Sequence, residues 1–191
     1  MDVVPSEEPK TIPQTTVLYH GSHGTSRTRG ERFRLQGFPT SDGLRGKGFY
    51  LWRKSDLWKE LAQGWYKFRR SRGEYDGDRN PMGVVIYAVV ETPQDRYLDL
   101  TDPEAIEQVA RLAKIAGMDV TRLRQIGAAY ELYISETERD LKTDYVVIEA
   151  TVGPPSAEFC PEYSVAMLSS PRCYIVRRSE FLKVASTEEF V

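Results

Sequence analysis

Gly83-Val84-Val85-Ile86-Tyr87-Ala88-Val89-Val90-Glu91 is a near-continuous apolar run and the strongest strand signal in the chain. An apolar run without alternation suits a strand buried on both faces, at a central sheet position. Upstream, Thr16-Val17-Leu18-Tyr19 is a short β-type run that stops at His20-Gly21-Ser22. From Gly21 to Gly48 the sequence is rich in Gly, Ser, Thr and Arg without a clear period, so a long loop is expected there. Gly46-Lys47-Gly48 then feeds the apolar Phe49-Tyr50-Leu51-Trp52. Ser55 reads as a helix N-cap, with Leu57, Leu61, Trp65 and Phe68 at helical spacing behind it. Arg69 and Arg70 close that helix where its dipole favours cations.

Downstream, 71–81 reads as a charged loop and Arg96–Leu100 as a short strand. Asp102-Pro103 opens a helix to about Ile115, with proline at the first helical position. A second helix is predicted over Thr121–Tyr133, and strands over Asp144–Ala150, Tyr163–Leu168 and Arg172–Arg178. Strands, helices and strands in that order predict an α+β fold rather than alternating βαβ units. Residues 1–14, polar with three prolines, read as a flexible arm, leaving 15–191 as one domain.

Composition narrows the function. Of 191 residues 40% are hydrophobic and 28% charged, the mix of a globular protein, and the net charge of −2 argues against a polycation for nucleic acid. A local basic patch remains compatible with a nucleic-acid substrate. No apolar run approaches the roughly 18 residues of a membrane span, and the N-terminus lacks the features of a signal peptide. The expectation is cytoplasmic residence, or delivery into another cell by a secretion system without a cleavable signal, and no membrane partner. Only two histidines, His20 and His23, and two cysteines, Cys160 and Cys173, are present. A structural zinc site takes four such ligands, and these stand as one tight pair and one distant pair, so no metal is expected. A Cys160–Cys173 disulfide stays open beside two separate thiols.

Three segments put a chemically capable side chain beside a turn at a strand end, where sites collect. They are Leu18-Tyr19-His20-Gly21-Ser22, Gly46-Lys47-Gly48-Phe49-Tyr50-Leu51 and Pro161-Glu162-Tyr163-Ser164-Val165-Ala166. In this order, and followed by Arg172-Cys173-Tyr174-Ile175-Val176, the set resembles the ADP-ribosyltransferase superfamily in its His-Tyr-Glu branch, over about residues 16–178. The resemblance implies a split, mostly antiparallel β-sandwich core with flanking helices, gripping NAD⁺ as co-substrate. It implies that Gly21 holds the nicotinamide carboxamide through its backbone, with Ser22 and Gly48 beside it. His20 would bond the adenosine ribose, and Tyr50 would stack on the cationic nicotinamide ring. Glu162 would hold the ribose 2′-OH and stabilise the oxocarbenium-like transition state.

The resemblance also implies an arginine for the NAD⁺ phosphates, to which a guanidinium fork is suited. Arg27, Arg29, Arg32, Arg34 and Arg45 are available, and Arg34 is the one expected at the phosphates. Where relatives carry a second aromatic, this chain has Leu61, so Trp58, one turn earlier, is the replacement expected. Glu158 does not match the Glu-x-Glu pattern of the arginine-modifying transferases. Each residue also has a plain reading: His20 as a hydrogen-bonded strand-end residue with His23 as rival, Tyr50 and Trp58 as core, Glu162 as a solvated carboxylate.

The function implied is transfer of a single ADP-ribose unit to a macromolecular acceptor, protein or nucleic acid, in the format of a bacterial toxin or effector. Such a format leaves room for an antitoxin or immunity protein as partner. NAD⁺ glycohydrolysis on the same fold and a non-catalytic binding module are the alternatives.

Overall fold

The computed structural model describes residues 16–20, 41–53, 56–73, 82–90, 92–153, 155–156, 158–161 and 171–190. The predicted arm 1–14, the strand Tyr163–Leu168 and most of the loop from Gly21 to Gly48 lie outside the described residues. The architecture is α+β. Among the described residues eight strands are β1 (Thr16–His20), β2 (Ser41–Gly43), β3 (Gly46–Arg53), β4 (Gly83–Val90), β5 (Tyr97–Asp99), β6 (Val147–Thr151), β7 (Arg172–Val176) and β8 (Leu182–Phe190). Three α-helices among them are α1 (Trp58–Ser71), α2 (Pro103–Ile115) and α3 (Leu123–Leu141).

The strands follow the order β5-β6-β7-β3-β1-β4-β8, with β2 paired to β3 as a hairpin. β4 lies between β1 and β8 and is buried at Val84, Val85, Ile86, Ala88 and Val90, as its apolar run predicts. One pair departs from the antiparallel expectation. β5 and β6 run parallel, from Tyr97↔Val147 to Asp99↔Glu149, because both α2 and α3 intervene as a crossover.

Among the described residues β1 and β3 pair at two positions, Thr16↔Arg53 and Val17↔Trp52. β1 pairs with β4 along all five of its residues, and β3 with β7 from Phe49 to Trp52. Two cores lie on opposite faces. One joins helix residues such as Leu61, Ala62, Val109, Ala129 and Ile134 to Trp52, Val85, Ile148, Cys173 and Ile175. The other takes Phe49, Leu51, Val84, Ile86, Tyr174 and Val176 from strands, with Val146 and Leu182, and no helix residue. Alternation along β3 sends Phe49 and Leu51 to the second core and Trp52 to the first.

Asp102 caps α2 as predicted, its carboxylate accepting from Glu104 N at 2.9 Å. α1 begins later than its sequence signal: Ser55 lies outside the described residues, and the cap is Leu57, without a side-chain bond. α3 extends to Leu141, beyond the predicted Tyr133, and carries an Arg139–Glu136 ion pair in the added part. Two strands were not expected from sequence, β2 inside the supposed loop and the polar β8. Cys160 and Cys173 are both buried and are not joined by a disulfide.

Gly64, inside α1, marks a close approach. A Cβ there would lie 2.7 Å from the Phe159 carbonyl oxygen and 3.1 Å from Cys160 Cβ. Helix propensity alone would make Gly64→Ala stabilising by about 1 kcal/mol. The backbone contact reverses that sign, and a net loss of about 1–3 kcal/mol is expected. Urea unfolding measures it; a more stable variant would remove the close approach from the account.

Candidate functional site

β3 positions the central candidate. Tyr50 is half-buried on the helix-covered face and packs against the first core. Its hydroxyl donates to Gly46 O at 2.6 Å and accepts from Arg45 N at 3.0 Å, so the phenol is tied into the β2–β3 turn. A Cβ on Gly43 would collide with this ring, which therefore lies against the turn's backbone. Burial pushes the Tyr50 pKa far above the ordinary tyrosine value, outweighing the Arg45 N–H bond that lowers it. The group is neutral and its ring is held in one orientation.

Gly48 is buried, and a Cβ there would lie 2.5 Å from Ile175 Cγ2 and 3.0 Å from Val176 O. Its described role is therefore the close pairing of β3 with β7. His20 ends β1, and its backbone pairs with Val84. His20 and Tyr50 both lie beyond the Val17↔Trp52 pair, on the side where β1 and β3 no longer bond. Trp58 opens α1 and meets the Tyr87 ring edge-on, with centroids 5.1 Å apart. Tyr87 in turn donates to Glu188 Oε2 at 2.6 Å, and Lys59 pairs with the same carboxylate. Trp58 is thus built into a contact with β4.

Gly21, Ser22, Arg34 and Glu162 lie outside the described residues, as do Arg27, Arg29 and Arg32. The described chain reaches Pro161 after Phe159 and Cys160, which are seated against Gly64 of α1. Arg45 is committed elsewhere: its Nε donates to Thr151 O at 3.0 Å and its guanidinium lies 4.9 Å from the Tyr130 ring centroid. Glu131 of α3 fixes the neighbouring turn, accepting from Lys47 N and both terminal nitrogens of Arg177 at 2.8 and 3.2 Å. A depression lined by Asp95, Tyr97, Leu141, Lys142, Thr143 and Tyr145 contains none of the candidate residues.

A polar cluster escaped the sequence reading. Glu149 of β6 is 3% exposed. Its Oε1 accepts from Arg53 at 2.8 Å and Arg172 at 3.2 Å, and its Oε2 from the Tyr97 hydroxyl. The signal was available, since a glutamate inside Val146-Val147-Ile148-Glu149-Ala150 sits in an otherwise apolar strand. Tyr174 stands opposite Glu149 in the register. Burial first, then the Glu149 charge, push its pKa up to about 12. The cluster ties β3, β5, β6 and β7 together at the end of β3 away from Tyr50.

Comparison with protein-family models, with curated proteins and with solved structures returns no match to this chain.

Two predictions follow from these environments. Tyr50 carries a raised folded-state pKa, so its contribution to stability is intact below the unfolded value of about 10 and is lost as pH rises from there. Tyr50→Phe should therefore show a shallower alkaline fall in melting temperature than the native chain, while losing about 1 kcal/mol near neutrality with the two hydroxyl bonds. Identical alkaline slopes would place the phenol in solvent. Glu149→Gln leaves two partly exposed guanidiniums without their shared anion and should cost about 1–2 kcal/mol in denaturant unfolding; a neutral result would make the cluster dispensable.

Proposed function

We propose that the chain transfers ADP-ribose from NAD⁺ to an acceptor, on an ADP-ribosyltransferase-like scaffold, with His20, Tyr50 and Glu162 as the working residues. The observation that carries this reading is the order β7-β3-β1 at the centre of the sheet. The strand that ends in His20, the strand that holds Tyr50 and the strand that follows the Glu162 motif are direct neighbours, although their residues are about 30 and 120 positions apart in the chain. The narrow β1–β3 seam supports the split sheet that this scaffold needs: His20 and Tyr50 lie where the two strands have parted.

In the proposed reaction the bond between the ribose C1′ and the nicotinamide nitrogen breaks, and nicotinamide leaves with the electron pair. The acceptor nucleophile bonds to C1′ and gives up its proton. Tyr50, with its hydroxyl already anchored on Gly46, offers a ring that loses little freedom on stacking against the cationic nicotinamide. Glu162 holds the ribose 2′-OH and faces the positive charge that develops on the sugar. Gly21 and Ser22 receive the carboxamide, and Arg34 the phosphates. Arg45 drops out of that role because its guanidinium is already bound. Trp58 keeps a place at the margin of the pocket, with its edge committed to Tyr87.

Nicotinamide release from NAD⁺ tests the reading. The native chain should release it, and Glu162→Ala should be slower by at least about 100-fold. Tyr50→Ala should weaken NAD⁺ binding more than Glu162→Ala does. Mass spectrometry of a cell extract incubated with labelled NAD⁺ should find one ADP-ribose unit per acceptor site. If neither protein releases nicotinamide and NAD⁺ produces no thermal shift, the enzyme reading fails. Free ADP-ribose as the sole product would assign the glycohydrolase instead.

A further inference from the structure

The corner between α2 and α3 exposes apolar side chains that the fold could have covered. Ile115 is 76% exposed, Val120 50% and Leu123 65%. They are three of the five large apolar side chains exposed among the described residues. Contiguous exposed apolar surface marks an interaction site more often than chance.

The corner is ordered by its own bonds. Met118 N donates to Ala113 O at 2.9 Å, and Met118 tucks back against the core. Gly117 takes a left-handed φ of +67°. Asp119 Oδ1 accepts from Thr121 N at 3.1 Å, and Asp119 Oδ2 pairs with Arg122 Nε at 3.1 Å. Ile115 and Leu123 are thereby presented from the two helix ends on either side of a built turn.

The charge around them is one-sided. Arg111, Lys114, Arg122 and Arg124 are all exposed and stand against the single carboxylate of Asp119 within residues 111–124, in a chain of net charge −2. Acidic residues prevail over the remainder of the chain. Apolar side chains that can enter a hydrocarbon boundary, ringed by cations that meet anionic headgroups, are the two signals that together hold a protein on a bilayer surface.

We propose that the α2–α3 corner docks this protein onto an anionic lipid surface, with Ile115, Val120 and Leu123 inserted and Arg111, Lys114 and Arg124 at the headgroups. The apolar side chains are spread over two helix ends and a turn rather than along one helix face, so a fluid surface fits them better than the groove of a protein partner. No membrane partner was expected from sequence because that reading looked for a spanning run. A surface wedge contains none, and among the described residues no helix is long and apolar enough to cross a membrane.

The test is co-sedimentation of the full chain with vesicles of phosphatidylcholine alone or mixed with phosphatidylserine. Binding to the mixed vesicles is expected, with a decline as salt is raised. The double variant Ile115→Asp, Leu123→Asp should bind at least about tenfold more weakly at unchanged circular dichroism and melting temperature, because both side chains are exposed. Lys114→Gln with Arg124→Gln should weaken the preference for the anionic vesicles. Failure of the native chain to sediment with mixed vesicles at low salt would overturn the proposal. So would equal binding by the aspartate variant, or a concentration-dependent dimer that the aspartate variant disperses, since the corner would then belong to a second copy.

Discussion

Two residue pairs, Thr16↔Arg53 and Val17↔Trp52, hold β1 to β3, and the disposition of the whole sheet depends on how soon that pairing stops. Because it stops, β1 follows β4 while β3 follows β7. β1 is paired to β4 over all five of its residues, and β3 to β7 from Phe49 to Trp52, so both strands keep a bonded neighbour at the parting. The strand-built core on the face away from the described helices, from Phe49 and Leu51 to Val84 and Ile86, takes buried residues from both portions of the sheet.

The helices act on the other face, and polar contacts fix them. Glu131 binds Lys47 and Arg177 at once, which pins α3 over the β2–β3 turn. Gly64 lets the segment through Phe159 and Cys160 lie directly on α1. Glu149 secures the opposite end of β3 through Arg53. Tyr50 therefore sits on a strand that is fixed at both ends, while the neighbouring β1 is bonded to it only briefly. A site built on such a strand is more precise than one built on a loop.

Much of this was legible in the sequence where local chemistry and tertiary environment agree. Val84–Val90 declared a central strand because burial on both faces removes alternation. Asp102-Pro103 declared a helix start because cap and proline act within one turn. The expectation failed where the environment decides. β8, with Lys183, Ser186, Thr187, Glu188 and Glu189, is too polar to announce itself and is a strand because β4 offers it a ladder. The last turns of α3 are equally polar. Ser55 looked like a cap, but α1 starts only at Trp58, where the helix can reach Tyr87. Of the candidate site, Tyr50, Trp58, Gly48 and the backbone of His20 have their places in the described fold. Glu149 was passed over because its role needs Arg53 and Arg172, 96 and 23 positions away along the chain.

Cys173 sits in β7, the strand shared by both cores, and burial pushes its thiol up to about 12. Only the thiolate reacts with disulfides and alkylating agents. Near neutrality burial keeps the group as the thiol in the folded state, and no reagent reaches a fully enclosed sulfur. Modification of Cys173 must therefore wait for the helices to lift from the face they cover. This thiol serves as an internal clock for the opening of that face, on the strand beside Tyr50.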